Sequence, residues 1–511
     1  MEEQRANAGV CEPCETAAVY GKVEKPAERE FRPYTFFKMT MSTCPECLKV
    51  IPAQVVFQDN KVYFLKHCPL HGASRALVSE DAEYYRNAFS YIRAGSVPLH
   101  FSTAVKEGCP TDCGLCPAHQ QHTCLPIVEI TDHCNLECPI CIVDNQYSNH
   151  MSRADFQGII DLMLKAEGTL ETITLSGGEP TSHPEFLELV DMATRPEIGR
   201  VSVVTNGIRI ARSREFCEQL KKKNVYVILQ LDGFTDEIQK TIRGVPLMEV
   251  KWKALEHLAE FGIATQVAYV PARGVNEHQL GDAVRLMLSR DHILSLLIQP
   301  VARTGHGGGT FPVDPLDRLT IPGVIRAIDE QTQGQVARED FIPLPCSHPL
   351  CVSLTYLLKM DDGSYLPFPR FVDMRKHLDL FQQTATLEPG PKTESALQES
   401  IADLWSASGE IPNSEKIIKA LRRALLEMFP SRQVSRQDLI RIAERQAKTI
   451  FIHHYMDRHD FDLERLMKCC HHYPQIDGRI VPACGFNMFH RGAAKGPGTP
   501  VPFFGKGAFK H

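Results

Sequence analysis

Between Leu125 and about Ile298 short apolar runs alternate with amphipathic stretches, and this alternation restricts the fold more than any other feature of the chain. Leu125–Thr131, Thr172–Leu175, Arg200–Val204, Tyr226–Leu231, Thr265–Val270 and Leu296–Gln299 read as strands. Among the intervening segments, Phe156–Lys165, Pro184–Thr194 and Ser213–Lys222 read as helices. Strand and helix in strict alternation imply parallel strands joined by right-handed crossovers. Six such units predict an α/β fold, a partial (β/α)6 TIM-like barrel over residues 125–310. Reacting groups in such a barrel gather at the carboxyl ends of its strands.

The chemistry-bearing residues follow that rule. Cys134, Cys138 and Cys141, spaced C-x3-C-x2-C, come directly after the first strand, with Asp132 and His133 placed to tune the loop or cap it. Three thiolates on one loop can hold three irons of a [4Fe–4S] cube and leave the fourth open. An open iron can chelate the amino and carboxylate groups of S-adenosylmethionine. Ser176-Gly177-Gly178-Glu179-Pro180 follows the second strand, Thr205-Asn206-Gly207 the third, Gln230-Leu231-Asp232-Gly233 the fourth and Gln299-Pro300-Val301 the sixth. The triplet and the Gly-Gly-Glu-Pro strand end together resemble the radical S-adenosylmethionine superfamily. Within that resemblance Gly177, Gly178, Glu179 and Pro180 would meet the methionyl amino group, and Asn206, Gln230 and Asp232 the carboxylate or ribose. Arg243 is a carboxylate contact or a surface ion pair. Ile140 stands where many members carry an aromatic ring, a departure that weakens adenine stacking rather than cluster binding.

The chain holds eighteen cysteines, all in groups except Cys217, which reads as a buried apolar residue. Cytosolic thiols stay reduced, so grouped cysteines point to metal. Over residues 36–100, Cys44-Pro-Glu-Cys47 and Cys68-Pro-Leu-His71 flank the strand-like Gln54–Phe57 and Lys61–Leu65. This is a ribbon whose metal, tetrahedral Zn or rubredoxin-like mononuclear Fe, staples a small domain. Residues 1–35 read as flexible, and their Cys11 and Cys14 cannot complete a site alone. In residues 101–124, Cys109, Cys113 and Cys116 repeat the C-x3-C-x2-C spacing, and Cys124 can close a saturated auxiliary [4Fe–4S] cluster. His119 and His122 read as surface histidines. In a C-terminal auxiliary domain, 340–490, Cys346, Cys351, Cys469, Cys470 and Cys484 offer four ligands to a further shared cluster, with one of Cys469 and Cys470 spare. Residues 380–412 read as a linker. Ile417, Leu421, Ala424, Leu425 and Met428 mark one helix face, and Ser435 starts a second helix with a capping box. The tail, 491–511, reads as flexible.

A net charge of −6 gives no footprint for nucleic acid, and 43% hydrophobic with 23% charged residues is ordinary for a globular protein. No apolar run reaches the length of a spanning helix, and the first residues lack a signal peptide's apolar core. A cytoplasmic protein with at most transient membrane-surface contact is expected. The ribbon, the Gly-Cys-Pro-Thr-Asp-Cys-Gly-Leu-Cys run ahead of the triplet, and Cys469-Cys470-His-His before Asp477-Gly478-Arg479 together resemble the archaeal tetraether lipid synthases, whose bacterial relatives are proposed to make membrane-spanning lipids. Members are also described as radical methyltransferases of the 7,8-dihydropterin precursor of methanopterin. The resemblance implies an enzyme that makes a 5′-deoxyadenosyl radical with an electron from a donor such as ferredoxin or flavodoxin. The expected reaction is tail-to-tail C–C coupling of lipid chains; the alternative is pterin methylation. A long apolar channel favours the first and a compact polar pocket the second. An iron–sulfur electron carrier or scaffold is a third reading, which an open iron beside Gly-Gly-Glu disfavours.

Overall fold

The computed structural model describes residues 31–143, 148–305, 309–384, 389–407 and 409–491. Cys11, Cys14 and the residues after Arg491 lie outside the described residues.

The N-terminal ribbon is an antiparallel sheet of β1 (Thr35–Thr43), β2 (Val50–Gln58), β3 (Lys61–Cys68) and β4 (Gly72–Ser79), paired in sequence order. The expected hairpin is β2–β3. Its turn residues Asp59 and Asn60 both have positive φ, 51° and 57°, which a tight hairpin demands and which these two residue types tolerate. One face, with Ala53, Val55, Val62 and Phe64, is buried against the helix Ala82–Ala88.

All six expected barrel strands are present: β5 (Leu125–Thr131), β6 (Ile173–Gly177), β7 (Val201–Thr205), β8 (Tyr226–Gln230), β9 (Thr265–Tyr269) and β10 (Ile293–Ile298). They are parallel and adjacent in chain order. Val128, Leu175, Val203, Val227, Val267 and Leu296 pack with the surrounding helices in one core. Side chains alternate faces along a strand, so Thr174, Ser176, Ser202, Tyr226, Gln230, Gln266 and Ser295 point into the barrel.

Six further strands follow, β11 (Ile342–Pro343), β12 (Val352–Lys359), β13 (Tyr365–Pro367), β14 (Ala447–His453), β15 (His471–Pro474) and β16 (Ile480–Pro482). Two of them extend the barrel. β14 lies parallel beside β10 and β15 parallel beside β5, so the parallel run has eight strands rather than six. The rings of His453 and His471, one from each flanking strand, are 4.4 Å apart. Side chains thus bridge the seam of the barrel where no backbone ladder does.

The segment expected as a linker contains the helix Pro391–Ser406, with Pro391 in the first turn, where its missing N–H costs nothing. Helices Ser414–Met428 and Arg436–Glu444 match the expected pair, and the Ser435 hydroxyl accepts from Asp438 N at 3.1 Å. Gln437 donates to the carbonyls of Arg195 and Ile198, which sets the last helix across the amino-terminal mouth of the barrel. Arg491, at the start of the segment expected to be flexible, is buried in an ion pair with Glu129 of β5. No described helix is long and apolar enough to cross a membrane.

Candidate active site

The loop after β5 is fixed from beneath. Asp132 is fully buried and accepts from Asn149 N at 2.6 Å and Asn149 Nδ2 at 2.8 Å, so it caps the loop that carries Cys134, Cys138 and Cys141. The Gly-Gly pair of β6 lies directly against this loop. Gly178 N donates to Thr131 O and Glu179 N to His133 O, each at 2.8 Å. A Cβ on Gly177 would stand 2.0 Å from Thr131 O, and one on Gly178 2.2 Å from His133 O. Glycine is required here because two backbones meet.

The Glu179 carboxylate is buried and saturated. It accepts from Thr181 N and Oγ1, Thr205 Oγ1 and Asn206 N at 2.6–3.1 Å, clamping the ends of β6 and β7 together. Asn206 donates from Nδ2 to Asn135 Oδ1 at 2.7 Å and accepts at its carbonyl from Lys251 Nζ at 2.6 Å. Burial lowers the Lys251 pKa to about 8. Asp232 and Arg243 form a fully desolvated ion pair at 2.7 Å, and Val270 N donates to the other Asp232 oxygen. Burial opposes the Arg243 charge, but Asp232 and the adjacent Cys138 outweigh it and hold the guanidinium above its ordinary range. It is a buried pair, not a surface one.

A cavity of about 400 Å³ opens beside the triplet and continues down the barrel interior. Cys134, Cys138, Cys141, Gly177, Gly178, Glu179, Asn206, Gln230 and Arg243 line its upper end. Pro180 and Asp232, expected at the cofactor, do not line it: Pro180 opens a buried 3-10 turn, and Asp232 is occupied by Arg243. Ser176, of the Gly-Gly-Glu-Pro strand end, comes next; lower lie Ser202, Tyr226, Gln266 and Ser295, and at the floor an Arg200–Glu444 ion pair. These lower residues carry no motif.

The metal-ligating groups differ in spacing. In the ribbon, the ligand atoms of Cys44, Cys47, Cys68 and His71 lie within 4.8 Å of one another, which suits one tetrahedral ion with a Cys3His donor set. Among the described residues the sulfurs of Cys134, Cys138 and Cys141 do not gather so tightly, as one thiolate on each of three irons requires. All three face the cavity, so they fit a cube with one iron open to a ligand. Removing the ribbon metal with a chelator should unfold the ribbon, because such a site contributes on the order of 10 kcal/mol to a small domain. Hydrogen exchange over β1–β4 checks this, and unchanged protection would contradict it.

The auxiliary cysteines regroup relative to the sequence reading. Cys124 does not join Cys109, Cys113 and Cys116. It lies with Cys346 and Cys470, all buried, with Cys124 and Cys346 sulfurs 2.8 Å apart. The cause is topological: Cys124 N donates to Cys470 O at 3.0 Å, where β15 joins β5. Cys351, Cys469 and Cys484 line a small cavity that Cys470 also lines, with Arg465 Nε 3.3 Å from the Cys351 sulfur. Cys470 thus lies between Cys124 and Cys346 on one side and the cavity shared with Cys469 on the other. Cys217 is buried, as expected.

Of the two histidines read as superficial, His122 is half-buried and His119 is buried. His122 Nε2 is 3.6 Å from the Cys124 sulfur, and His119 is buried, 2.8 Å from Cys469 O and 3.3 Å from His472. Burial lowers the His119 pKa to about 4. An unfolded histidine titrates near 6.5, so between these values the unfolded chain binds a proton that the folded one refuses. The stability is complete above pH 6.5 and declines as pH falls toward 4. Between pH 7 and pH 5 the loss from His119 should be about 2 kcal/mol. Urea midpoints at the two pH values check it: His119→Gln should reduce the difference by about that amount, the other buried histidines such as His454 and His472 keeping their share.

The sequence profile of the Radical SAM superfamily matches residues 128–287, and that of the HMPTM N-terminal zinc ribbon domain matches 36–80. The chain is 31% identical over 484 residues to a 7,8-dihydro-6-hydroxymethylpterin dimethyltransferase of Methanocaldococcus jannaschii, covering 89% of this chain and 94% of the relative. It is 35% identical over 161 residues to the mycofactocin maturase MftC of Mycobacterium ulcerans, covering 31% of this chain and 42% of that one. Among solved structures, Streptococcus suis SuiB bound to S-adenosylmethionine superposes with a TM-score of 0.35 at 17% identity, over 42% of this chain and 48% of that one.

Proposed function

We propose, for a chain that belongs to the radical S-adenosylmethionine superfamily and to the family of the 7,8-dihydro-6-hydroxymethylpterin dimethyltransferase, that it methylates a reduced pterin by radical chemistry. The observation that carries the reading is a set of polar side chains in an otherwise largely apolar barrel interior below the triplet, where Ser176, Ser202, Tyr226, Gln266 and Ser295 face one cavity. A lipid tail has no use for such groups, whereas a nitrogen heterocycle does. The near full-length match to a pterin dimethyltransferase points the same way.

The cofactors of this family are a [4Fe–4S] cluster and S-adenosylmethionine, which together supply a 5′-deoxyadenosyl radical able to take hydrogen from an unactivated carbon. The residues supply the placement. Cys134, Cys138 and Cys141 hold the cluster. With its carboxylate, N–H and carbonyl all engaged at the strand end, Glu179 would fix Gly177 and Gly178 where they meet the methionyl amino group. Asn206 and Gln230 orient the carboxylate and ribose, and Arg243 sets positive charge beside Cys138. A one-electron donor of the ferredoxin or flavodoxin kind is required.

One observation favours the second reading, lipid tail coupling: the lower cavity continues to Leu397, Ala424 and Met428, an apolar wall beyond the polar layer. Mass spectrometry of anaerobic reactions separates the two. A dihydropterin heavier by one or two CH2 units, with a diether or fatty-acyl lipid untouched, supports methylation. A lipid of twice the precursor mass less two hydrogens, with the pterin untouched, overturns it.

A further inference from the structure

We infer that Tyr226, Gln266 and Ser295, low in the barrel, form the subsite that reads the lactam edge of the substrate's heterocycle. They thereby stand the substrate on end with its C–H carbons toward the cluster. The inference rests on the pterin reading above and adds to it where the ring binds and which way it points.

The three residues come from adjacent parallel strands, β8, β9 and β10, and all line the cavity. Gln266 Nε2 donates to Ser295 Oγ at 2.8 Å, and the hydroxyls of Tyr226 and Ser295 are 2.9 Å apart. Whichever hydroxyl donates to the other, the pair has one O–H left over. Gln266 Oε1 has no partner among the described residues. The layer thus presents one donor and one acceptor side by side, the complement of an adjacent C=O and N–H. A pterin carries that pair at C4 and N3.

The surroundings suit a flat ring. Val204, Ile228, Ala268 and Leu297 line the cavity above the layer, and Ala268 leaves room that a longer side chain would fill. Arg200 lies over the Tyr226 ring, 4.4 Å from its centroid, and pairs with Glu444 beneath, so the layer rests on a fixed floor. From Thr172 to Gly177 the cavity wall rises about 16 Å at the rise of a strand, room for a fused bicycle below the cofactor. The pyrimidine ring of a pterin bears no C–H. Its C–H carbons lie on the other ring and its hydroxymethyl arm, so holding the lactam at the floor turns the reactive end upward.

Pterin fluorescence titrations of reconstituted, S-adenosylmethionine-loaded protein test this with 7,8-dihydro-6-hydroxymethylpterin and its N3-methyl analogue, which lacks the lactam N–H. Wild type should bind the parent pterin at least about tenfold tighter than the analogue, since one buried partner is left unpaired. Gln266→Leu should weaken parent binding by a similar factor and erase the discrimination, as should Ser295→Ala, the smaller change should the first variant melt early. Equal binding of both ligands by wild type, or discrimination retained in both variants, overturns the subsite and leaves the pterin reading standing. No binding of either pterin by wild type overturns both.

Discussion

Cys138→Ala is expected to bring 5′-deoxyadenosine formation by reduced, reconstituted protein down to background. Cys138 has no side-chain substitute. Its sulfur faces the cavity between Cys134 and Cys141, packed near Leu136, Ile208 and Leu247, and with two thiolates the cube loses the ligand of one iron. No acid, base or nucleophile of the chain can break the sulfonium bond homolytically, so the effect is one of loss rather than attenuation. Undiminished turnover would move the catalytic cluster to Cys109, Cys113 and Cys116, which share the spacing.

The second large effect is steric. Gly178→Ala places a methyl group 2.2 Å from His133 O, and Gly177→Ala places one 2.0 Å from Thr131 O at a φ of +124°. Both obstacles are backbone, so relief requires β6 to part from the cluster loop, with loss of the two 2.8 Å bonds that join them. The expected cost is about 3 kcal/mol or more in local stability. S-adenosylmethionine binding should be lost even where the iron content of the triplet is retained. Equilibrium dialysis on iron-assayed protein checks it. Normal affinity in Gly178→Ala would mean that the strand end does not hold the cofactor.

The parallel strands and the cysteine triplet were readable because both are local: a strand is a few consecutive apolar residues, and C-x3-C-x2-C lies on one loop. The grouping of the remaining cysteines was not local. Cys124 meets Cys470 only because β15 docks beside β5, a pairing that no spacing encodes. β14 and β15 escaped notice for a related reason, since a helical insertion separates them from the alternation that marks the other strands. Gln266 and Ser295 escaped for another. A polar residue facing into a barrel produces the same alternation as one facing water, and only closure of the sheet shows which side is which. The Glu179 carboxylate completes a clamp between strand ends, a use that the Gly-Gly-Glu-Pro motif does not spell out. Arg491 reads as the first residue of a loose tail, yet its guanidinium is buried against Glu129.

The central claim, radical chemistry on a reduced pterin below the Cys134 loop, is tested most directly by substrate-triggered cleavage of S-adenosylmethionine. Anaerobic, reduced protein would be sampled for 5′-deoxyadenosine with no addition, with 7,8-dihydro-6-hydroxymethylpterin, and with a diether lipid extract. The account predicts a burst with the pterin alone, the lipid tube staying with the blank. A burst with lipid and none with pterin would contradict it and return the cavity to the coupling of hydrocarbon chains.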